Sequence, residues 1–248
     1  MKKIASATAA SLGLLITPLA QADVTSSIGA DYSSGKYGTS ESTDTWTIPL
    51  MLKYESGPAI LKLTVPYVHT TGTVNRDIGT AVLTTRHTEE GLGDIVGSAS
   101  YAVLEGKGGL GLDLGVKVKF ATAEKSKTLL TTGENDYSLQ AEAYQSFGAT
   151  TGFATLGWTK KGDPNGIDFR NPWYADIGAS YKVSDTLSAG AFYDFRGKLT
   201  DSGAHVSEMT LFVANKLSPN WKLQGYVVAG FSDASPDWGI GAILAYKY

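Results

Sequence analysis

Along most of the chain, apolar residues return at every second position in short segments, and within each segment the charged residues keep to the opposite phase. In 109–121 one phase reads Leu110, Leu112, Leu114, Val116, Val118 and Phe120, while the other carries Asp113, Lys117 and Lys119. In 44–55 Trp46, Ile48, Leu50, Leu52 and Tyr54 alternate with a phase that holds Lys53. In 172–183 Trp173, Ala175, Ile177, Ala179 and Tyr181 alternate with Asp176 and Lys182. A period of two sends successive side chains to opposite faces of a strand. The same pattern predicts strands over 24–33, 44–55, 59–69, 93–104, 109–121, 136–147, 150–160, 172–183, 186–197, 205–217, 220–231 and 237–248. The last of these runs from Trp238 to Tyr248 and ends on an aromatic.

The connections alternate in length. Tight turns rich in Gly, Pro, Asn and Asp sit at Glu55-Ser56-Gly57-Pro58, Glu105-Gly106-Lys107-Gly108, Phe147-Gly148-Ala149, Val183-Ser184-Asp185 and Leu217-Ser218-Pro219-Asn220. Between them fall longer polar stretches at 34–43, 70–92, 122–135, 161–171, 198–204 and 232–236. A soluble sandwich has no reason to sort its loops in this way. The pattern predicts an all-β fold, a transmembrane antiparallel up-and-down β-barrel of about 12 strands, with short periplasmic turns, longer outer loops and both termini periplasmic. Pro49 and Pro66 fall inside two of the strands and predict local bulges or register adjustments there, because proline gives no donor to a ladder.

Aromatic residues bracket the apolar rows. Trp46 and Tyr54, Trp173 and Tyr181, and Trp238 and Tyr246 are each eight residues apart. With a strand tilt of about 40°, that is a rise of roughly 20 Å, close to the apolar height between two interfacial girdles. Trp158 and Trp221 join the predicted girdle, since Trp and Tyr favour the boundary where a ring is apolar and its N–H or O–H meets water. Tyr246 and Tyr248 form the expected signal for the barrel-assembly machinery.

The chain opens with Lys2 and Lys3, an apolar stretch from Ala9 to Leu19, and Ala20-Gln21-Ala22, the form of a secretory signal with a small-x-small cleavage site. The expected division is a signal peptide at 1–22 and an outer-membrane barrel at 23–248. Loss of that segment takes Lys plus Arg from 21 to 19 against 24 Asp plus Glu, a formal charge of −5, too mild to indicate a nucleic-acid partner. With no cysteine, disulfides cannot hold the exported chain, and past the signal no run of about 18 apolar residues offers a spanning helix. The expected setting is a monomer among outer-membrane lipid and lipopolysaccharide.

Gly91-Leu92-Gly93-Asp94-Ile95, opening a strand after a long loop, follows a strand that contains Val65-Pro66-Tyr67. In these motifs, and in the strand pattern of essentially the whole chain after the signal, the sequence resembles the outer-membrane proteins associated with the meta-cleavage pathway of phenol degradation. The resemblance implies a monomeric barrel that moves small, aromatic or apolar molecules, and it brings no catalytic residues.

Carrying the phase through each strand gives the inward charged set: Lys53, Lys62, Asp94, Asp113, Lys117, Lys119, Glu142, Asp176, Lys182, Asp194, Arg196, Glu208, Lys216 and Lys222. Tyr144, Tyr174, Phe192, Phe212 and Tyr226 share the inward phase. Charges of both signs require water or partners, and a barrel of about 12 strands lies between the small filled barrels and the open porins. Two readings follow: a narrow selective channel for a small-molecule solute, or a structural barrel plugged by its own ion pairs. The segment 70–92, as the longest connection, is either an inward constriction or an exposed loop.

A third reading, an outer-leaflet lipid hydrolase, rests on His205-Val206-Ser207, which is similar to the H-x-S arrangement of outer-membrane phospholipase. It lacks the third group that would orient the base. The expectation is therefore no enzyme and no cofactor. His69 and His87 stand apart from any carboxylate or cysteine cluster at ligand spacing, so no metal site is expected.

Overall fold

The computed structural model describes residues 23–77, 82–106, 109–164 and 166–248. The predicted signal segment, with Ala20 and Ala22, and part of the Glu105 to Gly108 turn lie outside the described residues. The strands are β1 (Asp23–Gly35), β2 (Thr43–Ser56), β3 (Ala59–Asp77), β4 (Val82–Leu92), β5 (Ile95–Glu105), β6 (Leu110–Phe120), β7 (Asp136–Phe147), β8 (Thr150–Lys160), β9 (Trp173–Lys182), β10 (Leu187–Arg196), β11 (Val206–Lys216), β12 (Trp221–Gly230) and β13 (Trp238–Lys247). All pairings are antiparallel between neighbours, and β13 pairs with β1 from Thr25↔Lys247 to Ser34↔Trp238, which closes the sheet. β4 and β5 occupy one position in the wall, so the chain forms a closed 12-strand barrel.

The short turns gather at one end, which also holds both ends of the barrel chain. Asp23 meets Lys247 there at 2.7 Å, and the Tyr248 amide donates to the Val24 carbonyl at 3.0 Å. Gly57 (φ 54°) and Gly148 (φ 64°) hold left-handed backbone in two of these turns, a conformation that glycine adopts without a Cβ penalty.

One expected loop is strand. β3 continues to Asp77 and β4 returns along it, from Tyr67↔Leu92 to Asp77↔Val82, so most of 70–92 is a two-stranded ribbon that prolongs the wall at the long-loop end. The reason it escaped the period-two reading is physical. The residues it buries include polar Thr70 and Glu89, while Thr85 and Thr88 are exposed, so its threonines supply the β-branched preference for a strand without an apolar phase to announce it. The following strand also begins later than the sequence indicates. β5 opens at Ile95, and Asp94 sits in the joint between β4 and β5 instead of on a strand.

Pro49 and Pro66 are register partners in an uninterrupted β2–β3 pairing, not separate bulges. Their missing donors fall on one line across the wall. On one side the β1–β2 pairing skips from Ile28↔Leu50 to Asp31↔Thr47. On the other, β3 changes partner from β5, at Thr64↔Val96, to β4, at Tyr67↔Leu92, and the Gly93 amide donates to the Pro66 carbonyl at 2.8 Å. Proline cannot donate to a ladder, and the break between β4 and β5 coincides with this place. The register shift that does occur in the wall is elsewhere, between Ala102 and Leu104.

The outward face carries large apolar side chains around its circumference, among them Leu50, Leu114 at 49 % exposure, Leu139, Ile177 at 65 %, Leu211 and Ile240. An unbroken apolar belt of this kind is costly in water and favourable against hydrocarbon. Leu114→Arg near mid-height is therefore expected to cost about 2–4 kcal/mol in refolding into lipid bilayers, whereas Lys222→Arg on the inner face should be tolerated. Urea-dependent refolding into vesicles measures both, and equal costs would refute the assignment of faces.

Candidate lumen site

The inner face of β6 to β11 is organised in register rows that climb the wall, because the strands of a closed barrel are tilted. One row reads Asp113↔Glu142↔Thr155↔Asp176↔Asp194↔Glu208, five carboxylates on six consecutive strands. Toward the short-turn end lies Gly111↔Tyr144↔Phe153↔Gly178↔Phe192↔Thr210. Toward the long-loop end lies Gly115↔Gln140↔Gly157↔Tyr174↔Arg196. Phe192 packs between Phe153 at 6.3 Å and Phe212 at 6.4 Å between centroids, within the range of favourable ring contacts. Glycine makes the rings lie flat. A Cβ on Gly157 would stand 2.2 Å from Cζ of Tyr174, whose hydroxyl donates to Oε1 of Gln140 at 2.9 Å.

The cationic side is set by β2, β3 and β12. Lys53 and Lys62 are register partners, and the row continues through Ser98 to Lys117. Lys53 is 6 % exposed and pairs with Glu55 at 2.8 Å. Lys62 stands within Coulombic reach of Asp113 and Glu142, and Lys222 within reach of Lys53. Lys117 places Nζ 5.1 Å from the centroid of Tyr174, a cation–π contact. Arg196 comes to 4.0 Å from Oδ1 of Asp194. Asp31 accepts the Tyr226 hydroxyl at 2.7 Å.

Lys182 and Lys216 share the inward phase but lie at the short-turn rim. Lys182 reaches out to Asp185 at 2.7 Å, and Lys216 is exposed opposite Lys222. Asp94 and Lys119 belong to a cluster at the long-loop end. Lys119 donates to Asp94 at 2.8 Å and to the Glu134 carbonyl at 2.9 Å, and stands 3.6 Å from Asp136. Asp94 also accepts the Thr131 hydroxyl at 2.6 Å and the Ala123 amide at 3.1 Å, while Asp136 accepts Lys161 at 2.5 Å. Glu89 accepts the Leu129 amide at 2.7 Å. Loop 121–135 is thus pinned to the barrel by buried charge.

Of the aromatic set, Trp46, Tyr54, Trp173, Tyr181, Trp221 and Trp238 are exposed on the outer face, and Trp158 is half-buried opposite Trp173. Tyr246 packs between Trp221 and Tyr248, each at 4.9 Å. Ser207, of the hydrolase reading, is buried and its Oγ lies 2.6 Å from the Tyr193 hydroxyl, while the His205 ring packs on Phe195 at 5.3 Å. Sequence reasoning missed Phe153, Gln140, Asp31, Asp136 and Lys161. The first three lie in the inward phase of their strands, where extending the alternation residue by residue finds them. Asp136 and Lys161 sit where alternation stops.

No family model matches the chain, and no curated protein matches it. Among solved structures, the COG4313 outer membrane channel from Pseudomonas putida F1 is similar over 98 % of this chain and 100 % of its own, with a TM-score of 0.74 at 11 % identity. The transport unit of the autotransporter AIDA-I from Escherichia coli is similar over 96 % of this chain and 94 % of its own, with a TM-score of 0.54 at 13 % identity. The translocator domain of the autotransporter NalP from Neisseria meningitidis covers 92 % of this chain and 88 % of its own, with a TM-score of 0.51 at 11 % identity. Together with the apolar belt, these likenesses define the fold as that of a bacterial outer-membrane β-barrel.

The Lys119 cluster generates a direct expectation. Lys119→Met leaves the buried Asp94 without its cation, a loss of about 1.5–3 kcal/mol for a charge-assisted hydrogen bond. The barrel should still fold, while trypsin cuts at Lys125 and Lys127 on the order of tenfold faster, because local opening of the loop becomes easier. Limited proteolysis followed by mass spectrometry checks this.

Proposed function

We propose that the protein is an outer-membrane channel for small solutes, aromatic or apolar ones among them, that cross a narrow lumen bearing charges of both signs. The observation that carries this reading is the state of the inner carboxylates. Asp113, Asp194 and Glu208 each keep a buried side-chain oxygen without a hydrogen-bond partner. A self-satisfied plug would pair such groups, since an unpaired buried polar atom costs free energy that water or a solute recovers. The aromatic strip through Phe153, Phe192 and Phe212 offers an apolar solute contact along the same wall. The ion pairs and hydrogen bonds that tie loop 121–135 to Asp94, Asp136 and Glu89 favour the second reading, a structural barrel plugged by its own ion pairs, and conductance decides between them.

In this reading the short turns face the periplasm and the long loops face outside, the sorting usual for such barrels. The barrel acts as a monomer among lipid and lipopolysaccharide, delivered by the assembly machinery through Tyr246 and Tyr248. Orientation is tested with cysteine, which the chain lacks. In intact cells an impermeant thiol reagent should label Thr128→Cys and spare Asp185→Cys, and the reverse pattern refutes the orientation.

Conduction is tested in planar bilayers. Lys119 is engaged by the loop cluster, so Lys117, held over Tyr174, is the lysine of β6 whose charge acts on a passing ion. Lys117→Gln should shift ion preference toward cations without altering folding, because fixed charges lining a pore set the field felt by ions. A barrel that folds yet conducts nothing refutes the channel and leaves the plugged structural barrel.

A further inference from the structure

Within the acidic row, Asp176, Asp194 and Glu208 stand side by side on β9, β10 and β11. Neighbouring strands are about 4.8 Å apart, so the three positions span about 10 Å of wall, although the Asp176 and Asp194 carboxyl groups lean together into a side-chain hydrogen bond. That spacing suits a broad cation better than a metal ion, which needs donors at about 2–2.5 Å from one centre. Compensation nearby is incomplete. Arg196 reaches Asp194 only at 4.0 Å, and Lys117 is held off over the Tyr174 ring. Glu208 is 4 % exposed and Oε1 has no hydrogen-bond partner, with Ser235 beside the other part of the carboxyl group. Asp194 likewise keeps a buried Oδ1 unpartnered.

Tyr37, in the loop after β1, is pushed up to about 12 by burial and by the nearby Glu208 charge, with Asp237 and Asp31 adding to it. Next to the carboxylates on the short-turn side lies Phe192, flanked by Phe153 and Phe212, and on the long-loop side lies Tyr174. The carboxylates thus have phenylalanine rings on the short-turn side, while the Tyr174 ring on the other side already carries Lys117. Ring faces attract cations, and the strip of phenylalanines accepts an apolar body.

We propose that Asp194 and Glu208, with the ring of Phe192 beside them, form a lumen subsite for organic cations, in which an ammonium head meets the carboxylates and an aryl or alkyl body lies on the phenylalanine strip. The proposal rests on the channel reading and sharpens it by naming the solute class.

The test uses benzyltrimethylammonium as the probe, with benzoate as the anion of similar size and tetramethylammonium as the head without a ring. In planar bilayers, benzyltrimethylammonium added on the long-loop side should block the current of the wild-type protein at far lower concentration than benzoate. Glu208→Gln and Asp194→Asn should each raise the half-blocking concentration about tenfold, the loss of roughly 1.4 kcal/mol expected when one close Coulombic partner of the probe becomes neutral. Phe192→Ala should weaken block by benzyltrimethylammonium and leave that by tetramethylammonium unchanged. Asp185→Asn, in an exposed turn, should behave as the wild type, and heat-modifiable migration on gels confirms that each variant is folded. Equal block by benzyltrimethylammonium and benzoate, or block insensitive to both carboxylate substitutions, overturns the subsite while conduction itself leaves the channel standing. If the folded wild type carries no current, the channel reading falls, and thermal unfolding in detergent then decides the subsite: stabilisation by benzyltrimethylammonium that is lost in Glu208→Gln supports it, and no stabilisation overturns it.

Discussion

Every backbone amide and carbonyl in the wall has to find its partner within the wall, because hydrocarbon offers none. The pairing of β13 with β1 answers that demand, since it removes the two free edges that an open sheet of the same strands would present. Much else follows from closure. The strands tilt, the register rows spiral, and alternate residues are divided between an outer apolar face and an enclosed inner one. The short turns, Asp23 and Tyr248 then share one end of the cylinder, and the ribbon of β3 and β4 and loop 121–135 share the other.

The two prolines show how much local irregularity closure tolerates. Pro49 and Pro66 face each other, so the missing donors are collected in one line across the wall instead of being scattered through it. The wall answers with a skipped stretch in β1–β2 pairing and a change of partner along β3, and Gly93 gives its amide to the Pro66 carbonyl in the gap. Asp94 follows directly in the joint and gathers Lys119, Thr131 and the Ala123 amide. One weak line in the ladder thereby becomes the anchor of the loop above it.

Inside the cylinder, packing and electrostatics are not separable. Glycines at 111, 157 and 241 let Tyr144, Tyr174 and Tyr226 lie against the wall, where a Cβ would stand within 2.4 Å of each ring. Flattened rings leave room for the carboxylates between them, and Lys117 rests on one of those rings. Lysines of β2, β3 and β12 cluster toward the short-turn end, while the acidic row rises toward the long loops on β9 to β11. Arg196 and Lys117 stand beside that row on the long-loop side, so charges of both signs line the lumen there.

Much of this was legible in the sequence, since the period of two is a local property. Leu110 through Phe120 states its outer face without reference to any other strand, and closely similar runs gave the barrel class, most strand positions and the sorting of short turns from long loops. Alternation failed where its cause was absent. The Thr-rich ribbon at 70–92 buries polar residues such as Thr70 and Glu89 and exposes Thr85 and Thr88, so it carries no apolar phase, and Asp94, assigned to an inward strand position, lies in a joint beside the place where Pro49 and Pro66 meet. Phase likewise told which residues point inward but not what they meet there. That Lys182 turns to Asp185 at the rim, that Lys119 is consumed by the loop cluster, and that Asp176, Asp194 and Glu208 stand abreast are consequences of register. Register is fixed by closure of the whole cylinder, a long-range condition that no single segment encodes.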